Sequence, residues 1–158
     1  MRVIVSATVL AAFALVSAQA ASADPHPMKA GDLVISQRVV RATFGRPATS
    51  AAYMTIANHG AAPDRLVSAS CACAAQVEAH QSLQMGGMMS MNSAGPVSIP
   101  AHATVSFNPG GLHLMLMGLT APLKDGGDQK ITLVFERAGK VSAHFDIKAV
   151  IPVGGAQH

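Results

Sequence analysis

Residues 110–119 read GGLHLMLMGL, and leucine alternates in this stretch with histidine and methionine. Successive side chains of a β-strand point to opposite faces, so His113, Met115 and Met117 share one face and the leucines share the other. One face of such a strand can pack against a core while the other presents an imidazole and thioethers. Each methionine taken alone is also explained as an ordinary filler of gaps in a core.

Short apolar and β-branched segments recur along the rest of the chain and are separated by turns rich in glycine and proline. Examples of such turns are 95–96 (GP), 109–111 (PGG) and 125–128 (DGGD). Many short strands with no long helical pattern predict an all-β fold, an antiparallel β-sandwich. The predicted strands cover 33–36, 38–43, 50–56, 65–70, 76–82, 88–91, 104–108, 112–117, 130–136 and 141–150. The alanine-rich segment 69–75 is ambiguous and could hold one helical turn.

The first 23 residues have the pattern of a secretory signal peptide. Arg2 precedes an uncharged apolar run over 3–16, and the small residues 21–23 (ASA) form an A-x-A cleavage site. The apolar run is shorter than the roughly 20 residues that a membrane-spanning helix needs. We therefore expect a cleaved signal peptide over 1–23, one domain over 24–150, a C-terminal tail over 151–158, and export to the periplasm.

Composition and charge exclude several classes of protein. Half of the 158 residues are apolar and 12% are charged, which suits one small globular domain. Once Arg2 is removed with the leader, the basic residues nearly balance the eight acidic ones and form no cluster, so we expect no nucleic-acid binding. The carboxylates are scattered and no Ser/His/Asp or Cys/His catalytic set can be assembled, which indicates a protein that is not an enzyme.

Candidate metal ligands concentrate between His80 and Met91. Met85, Met88, Met89 and Met91 are four of the nine methionines of the chain. Thioether sulfur and imidazole are neutral ligands that suit Cu(I), whereas carboxylate-rich sites suit Mg, Ca or Mn. A thioether has no proton to lose before it binds a metal. The composition of this segment therefore indicates a Cu(I) site without strong anionic ligands.

The spacing of these residues matches a known signature. Ten residues separate His80 from Met91, and twenty-one separate Met91 from His113. One residue separates His113 from Met115. This pattern resembles the H-x10-M-x21-H-x-M signature of the periplasmic copper-chaperone (PCuAC-type) family, whose members bind Cu(I) and serve assembly of the dinuclear copper centre of cytochrome c oxidase. The surrounding stretches 85–89 (MGGMM) and 111–119 (GLHLMLMGL) also look like the family.

The resemblance implies a ligand set, a fold and a partner. The implied copper ligands are His80, Met91, His113 and Met115. The implied fold is a cupredoxin-like β-sandwich with the metal near its surface, where an acceptor can reach it. We expect a monomer whose acceptor is a cuproprotein, the copper-binding domain of cytochrome c oxidase. Met85 is the leading candidate for an accessory ligand.

The remaining methionines and histidines are interpreted as packing or surface residues. We expect Met88, Met89 and Met117 to pack around the site, as methionines commonly do. Met89 shares a strand face with Met91 by alternation, so it could compete with Met91 for the metal. Surface positions are expected for three histidines: His59, His102 and His144.

Cys71 and Cys73 are the only cysteines of the chain and lie one residue apart. In an exported protein such a pair usually forms a structural disulfide, and an accessory copper-thiolate site or a redox pair is the functional alternative. Two other functions therefore stay open. The protein could be a thiol-disulfide or redox assembly factor, although the more usual redox motif is Cys-x-x-Cys. It could also be a β-sandwich interaction module that binds no metal.

Overall fold

The computed structural model of the protein describes residues 26–149, and within this range the chain forms eleven β-strands and no α-helix. Among the same residues, no helix is long and apolar enough to cross a bilayer. The strands are β1 (Met28–Ala30), β2 (Leu33–Arg41), β3 (Thr49–Asn58), β4 (Asp64–Ser70), β5 (Ala74–Met85), β6 (Met88–Ser93), β7 (Val97–Ile99), β8 (Thr104–Phe107), β9 (Leu112–Leu119), β10 (Asp128–Phe135) and β11 (Gly139–Lys148). The predicted signal peptide and the tail over 151–158 lie outside the described residues.

The strands join into one continuous sheet that wraps around the core. Its path runs β1-β2-β11-β10-β4-β5-β9-β3-β8, and an additional pairing of β2 with β3 closes the path on itself. Strand β6 extends the sheet from β5, and β7 extends it from β4. Neighbouring strands are antiparallel, except that β11 and β2 run parallel. The predicted all-β sandwich is thus confirmed, with one parallel pairing in an otherwise antiparallel arrangement.

Alternation along the strands builds the core. On β10, Ile131, Leu133 and Phe135 are buried while the residues between them point outward. The neighbouring strand β11 adds a second alternating set, in which Ala143 and Phe145 are buried. Burial of alternate apolar side chains contributes about 1.5–3 kcal/mol for each large residue. This repeated pattern is the main source of stability, and it fixes which face of each strand remains available for a site.

Three local features differ from the sequence expectation. The segments 33–36 and 38–43 belong to one strand, β2, whose register with β3 shifts between Ser36 and Val39. Gln37 lies in that shift with a φ of 51°, so the strand bulges there instead of ending. Strands β1 and β7 were not predicted because three residues are too few to show alternation. Segment 69–75 holds no helical turn, since β4 extends to Ser70 and β5 begins at Ala74.

The β5–β6 hairpin reaches beyond the main sheet. Its turn consists of Gly86 and Gly87, whose φ angles of 58° and 82° are those that a tight two-residue hairpin turn requires. Within the described chain β6 pairs with β5 alone, and all six of its residues are exposed. The hairpin therefore carries its side chains outside the core.

A buried carboxylate joins the start of β4 to the turn between β10 and β11. Asp64 accepts backbone N–H groups of Arg65, Arg137 and Ala138 at 2.7–3.0 Å. Burial raises the pKa of Asp64, but these three donors outweigh it, so the pKa lies below its ordinary value. The carboxylate is therefore ionised in the folded protein and satisfies backbone groups of two distant segments.

Candidate metal centre

Two histidines face each other on neighbouring strands. Antiparallel pairing of β5 with β9 places His80 directly opposite His113. Residues that pair across antiparallel strands project from the same face, and the two imidazole rings lie with centroids 6.2 Å apart and planes at 75°. The register of the sheet thus brings together two ligands that are 33 positions apart in the chain.

The two predicted methionine ligands lie on the same face as the histidines. Met115 follows His113 by two residues on β9, so strand alternation puts both on one side. Met91 on β6 pairs with Ser82, which follows His80 by two residues on β5. The intervening Leu114 and Leu116 are buried in the core, as the alternation predicts. All four predicted ligands therefore project from one face, outside the hydrophobic core.

A shallow depression of about 470 Å³ opens on this face. Three of the predicted ligands line it, and His80 adjoins them through its ring contact with His113. The lining also includes Met89, Tyr53 and Phe44, the last of which is largely exposed. Burial raises the pKa of the Tyr53 hydroxyl and Arg41 partly offsets the rise, so the phenol is neutral here at neutral pH. Phe44 comes from the loop after β2 and was not singled out from the sequence.

The backbone orients the ring of His113. Its Nδ1 lies 3.0 Å from the carbonyl oxygen of Gly111, and because a carbonyl can only accept, Nδ1 carries the proton. In the neutral ring this leaves the lone pair on Nε2, the atom that can bind a metal. His113 is only 4% exposed, so its position is fixed by packing as well as by this bond.

The ring of His80 is held by a carboxylate. Its Nε2 lies 3.3 Å from Oε2 of Glu78, so Nε2–H donates, and in the neutral ring the lone pair is on Nδ1. That Nδ1 is shielded from solvent and has no hydrogen-bond partner among the described residues. Buried nitrogen atoms are nearly always satisfied, so an unpartnered one beside a second histidine is the atom expected to meet a metal. The residues present thus fit a soft metal ion.

Glu78 is a candidate site residue that was not singled out from the sequence. Its carboxylate also accepts a hydrogen bond from Nε2 of Gln76 on the same strand. Register places Glu78 opposite Met115, and so on the ligand face. The carboxylates are scattered along the sequence, and this one stands two residues before His80. The strand period of two was the signal that could have found it.

The proposed accessory ligands occupy different places. Met85 pairs with Met88 at the hairpin turn, and its odd spacing from Ser82 puts it on the opposite face of β5 from the histidines. Cys71 and Cys73 form a disulfide with a Cα–Cα distance of 5.1 Å, before the start of β5. Neither sulfur is a free thiolate in this structure. The disulfide precedes β5, and Cys73 is seven residues before His80 in the chain.

The three histidines interpreted as surface residues lie where expected. His59, His102 and His144 are exposed, and Nδ1 of His144 lies 2.6 Å from the Asp128 carboxylate. Met88 and Met89 do not pack as expected, since they are 77% and 70% exposed, and Met88 projects from the face opposite to the ligands. Across residues 26–149, groups of three or more His, Cys, Asp or Glu side chains nowhere converge to hold an ion. A metal site in this part of the chain therefore needs the thioethers as well as the imidazoles.

Comparisons with known proteins identify the family of the chain. The model of the LpqE-like family, described as "Putative lipoprotein LpqE-like", matches residues 33–147. The "Putative lipoprotein Lxx21020" of Leifsonia xyli subsp. xyli (strain CTCB07) is 33% identical over 116 residues, which is 73% of this chain and 69% of that protein.

Solved structures show the same fold. The copper-bound PCuAC domain from PmoF2 has a TM-score of 0.67 and 25% identity, over 79% of this chain and 99% of that one. The Cu(I) form of DR1885 from Deinococcus radiodurans has a TM-score of 0.60 and 32% identity, over 72% of this chain and 76% of that one. The likeness to PCuAC domains confirms the resemblance noted in the sequence and the fold that it implied. The chain belongs to the LpqE-like family, and its β-sandwich is that of a PCuAC domain.

Proposed function

We propose that this protein is a periplasmic metallochaperone that binds one Cu(I) ion as its cargo. The proposed ligands are His80, Met91, His113 and Met115. The observation that carries the proposal is the direct pairing of His80 with His113, with an unpartnered buried nitrogen on the His80 ring and two thioethers on the same face. The copper-bound structures of the PmoF2 domain and of DR1885, which share the fold, support it.

The ligand chemistry favours a monovalent soft ion. Two imidazoles and two thioethers are all neutral, so the loaded site keeps the single positive charge of Cu(I). Binding releases no proton from the thioethers, and each imidazole in its neutral form offers one nitrogen without hydrogen. Hard divalent ions prefer oxygen ligands, above all carboxylates. The Glu78 carboxylate on this face is already engaged by Gln76 and His80.

The site is arranged so that the metal can be released. His113 is buried, whereas Met91 is 51% exposed on the projecting β6 strand. An incoming ligand from an acceptor can therefore displace the Met91 thioether first, while the histidines still hold the ion. No thiolate has to be protonated for this exchange, so copper passes on without a change in proton number or oxidation state.

The family resemblance suggests the acceptor and the location. We propose delivery to a cuproprotein, the copper-binding domain of cytochrome c oxidase, by a monomer that catalyses no reaction and binds no nucleic acid. Export is supported by the predicted signal peptide and by the lipoprotein names of the family and of the Leifsonia relative.

Two measurements on the mature protein test the proposal. Titration with Cu(I) under reducing conditions, against a competing chelator, should give tight binding of one ion, and Zn(II) should bind more weakly. X-ray absorption of the loaded protein should show a shell of nitrogen and thioether sulfur. Tighter binding of Zn(II), or full Cu(I) affinity in Met115→Ala, would contradict the ligand assignment. Transfer is then tested by mixing the loaded protein with the isolated oxidase domain and measuring the copper content of each.

A second candidate function rests on the Cys71–Cys73 disulfide, which is closed in the structure. A redox assembly factor would use this pair to exchange electrons with cysteines of the acceptor. Replacing both cysteines with serine should leave Cu(I) affinity and transfer unchanged if the chaperone proposal is right. Loss of acceptor maturation in that variant, with copper binding intact, would favour the redox function instead.

A further inference from the structure

The tip of the β5–β6 hairpin presents two methionines to solvent. Met85 and Met88 are the last register pair before the Gly86–Gly87 turn, and they are 74% and 77% exposed. Elsewhere methionine is used as a core residue, since Met54 on β3 is 1% exposed. Exposed methionines at paired positions therefore need an explanation other than packing.

The pairing gives these two thioethers a shared volume. Directly opposed residues of an antiparallel pair have Cβ atoms about 4.5–5.5 Å apart, and their side chains project from the same face. Each methionine side chain has three rotatable bonds beyond its Cα, so both sulfur atoms can approach one ion without any movement of the backbone. Thioethers select soft monovalent metals such as Cu(I), and they bind without losing a proton.

The tip also belongs to the same hairpin as Met91, one of the proposed ligands. Met89 follows Met88 directly and pairs with Gln84, and Met91 comes two residues later on the same face as Met89. Met89 and Met91 both line the depression that contains His113. The thioethers thus follow one another along β6, but Met85 and Met88 project from the opposite face of the hairpin to Met89 and Met91.

We propose that Met85 and Met88 form a second, weaker Cu(I) site, an outer station at which the ion is received or released. Two thioethers leave the coordination of the metal incomplete, so a ligand of the donor or acceptor protein can complete it. To reach Met91 the ion passes from Met88 around the edge of the exposed ribbon to Met89, which lies on the ligand face, always as Cu(I). This proposal rests on the proposed function in that the outer station serves the inner site, but it makes a separate prediction about stoichiometry.

The test uses the mature protein with carbon-13 labels on the methionine methyl groups, titrated with Ag(I) as a redox-stable soft ion and then with Cu(I). The first equivalent should shift the methyl signals of Met91 and Met115. Further metal should shift those of Met85 and Met88, with at least about tenfold weaker binding, since neither imidazole takes part. The buried Met54 methyl should not move and serves as the internal control.

Variants separate the two sites. The double variant Met85→Leu and Met88→Leu keeps the apolar surface but has no thioether at the tip, so it should bind one ion with the first affinity unchanged. Met28→Leu, on β1, removes a methionine away from the hairpin and should still bind two ions. The double variant should also load and unload copper several-fold more slowly than the Met28→Leu control.

Each other outcome has a defined meaning. If the tip methyls stay unmoved by excess metal, or the double variant still binds two ions, the outer station does not exist. If the tip methyls shift only when the acceptor domain is added, the tip is a protein-docking surface and the proposal is wrong. If the first equivalent fails to shift Met91 and Met115, it is the proposed inner site that fails, whatever happens at the tip.

Discussion

The molecule has two clusters of polar side chains that are shielded from solvent and differ in how their atoms are satisfied. In one cluster the Asn58 amide donates to two carbonyl oxygens and accepts a backbone N–H, and the Asp64 carboxylate accepts three more. In the other, His113 uses one ring nitrogen on a carbonyl, and Nδ1 of His80 has no partner among the described residues. The fully bonded cluster stabilises the fold, whereas the incompletely bonded one is available for a ligand.

The largest expected effect is on stability, from Asp64→Ala. This change leaves three partly buried backbone N–H groups, one at the start of β4 and two in the turn after β10, without their acceptor. Each unsatisfied group costs roughly 1–3 kcal/mol, so we expect a loss of about 3 kcal/mol. Urea unfolding of the metal-free protein measures it. Cu(I) affinity should be unchanged, because the carboxylate contacts none of the proposed ligands. Wild-type stability in this variant would remove the distinction between the two clusters.

His113→Ala should lower the affinity for Cu(I), which Asp64→Ala leaves unchanged. Changes to the groups that only support metal ligands cost about 10–100-fold in affinity, so loss of a buried ligand should cost at least about 100-fold. Met91→Leu should cost less, about tenfold, since Met91 is exposed and Met89 lies on the same face. Competition with a Cu(I) chelator measures both, with the exposed His59→Ala as control. A larger loss in Met91→Leu than in His113→Ala would show that the hairpin, and not the sheet, determines affinity.

Glu78→Ala should weaken copper binding by about tenfold, because the His80 ring then loses the group that orients it. The matched control is Glu136→Ala, which removes an exposed carboxylate paired with Arg65 instead. X-ray absorption should still count two nitrogen ligands in Glu78→Ala, since His80 itself is retained. Equal affinities for the two variants would mean that Glu78 does not position the ring.

The smallest expected effect is on how the free energy of unfolding depends on pH, through Asp64 in the fully bonded cluster. The pKa of Asp64 is lowered by its N–H donors, so its stabilising contribution is complete above the ordinary Asp pKa of about 3.9 and is lost as pH falls through the lower folded value. The stability difference between wild type and Asp64→Asn should therefore shrink as the pH is lowered over this range. Urea midpoints measured at several pH values test it, and a constant difference would contradict the assignment.

Strand alternation explains how much of the fold and site could be predicted. Leucines alternate with ligand-type residues on β9, and this pattern alone gave the face that His113 and Met115 share. The pairing of His80 with His113 could be inferred only through the resemblance to a family, because sequence does not specify which strands become neighbours. The same limit explains β1 and β7, which are ordered by pairing with β2 and β4 and carry too few residues to show a pattern.

Features that depend on distant segments could not be read from local sequence. Asp64 receives N–H groups from residues 73 and 74 positions later in the chain. Phe44 lines the depression from a loop whose position depends on how β2 leaves the sheet. Glu78 was visible by its spacing, but its hydrogen bond to His80 depends on side-chain conformations that Gln76 helps to fix.

The two-glycine turn gives the interval between His80 and Met91 a structural meaning. A hairpin folded about Gly86 and Gly87 pairs Ser82 with Met91, which places Met91 diagonally across from His80. One residue inserted into this turn would shift every partner of β6 by one position and rotate Met91 to the far side of the ribbon. The interval of ten residues is therefore set by the length of the hairpin and its turn. The family signature describes a hairpin as well as a metal site.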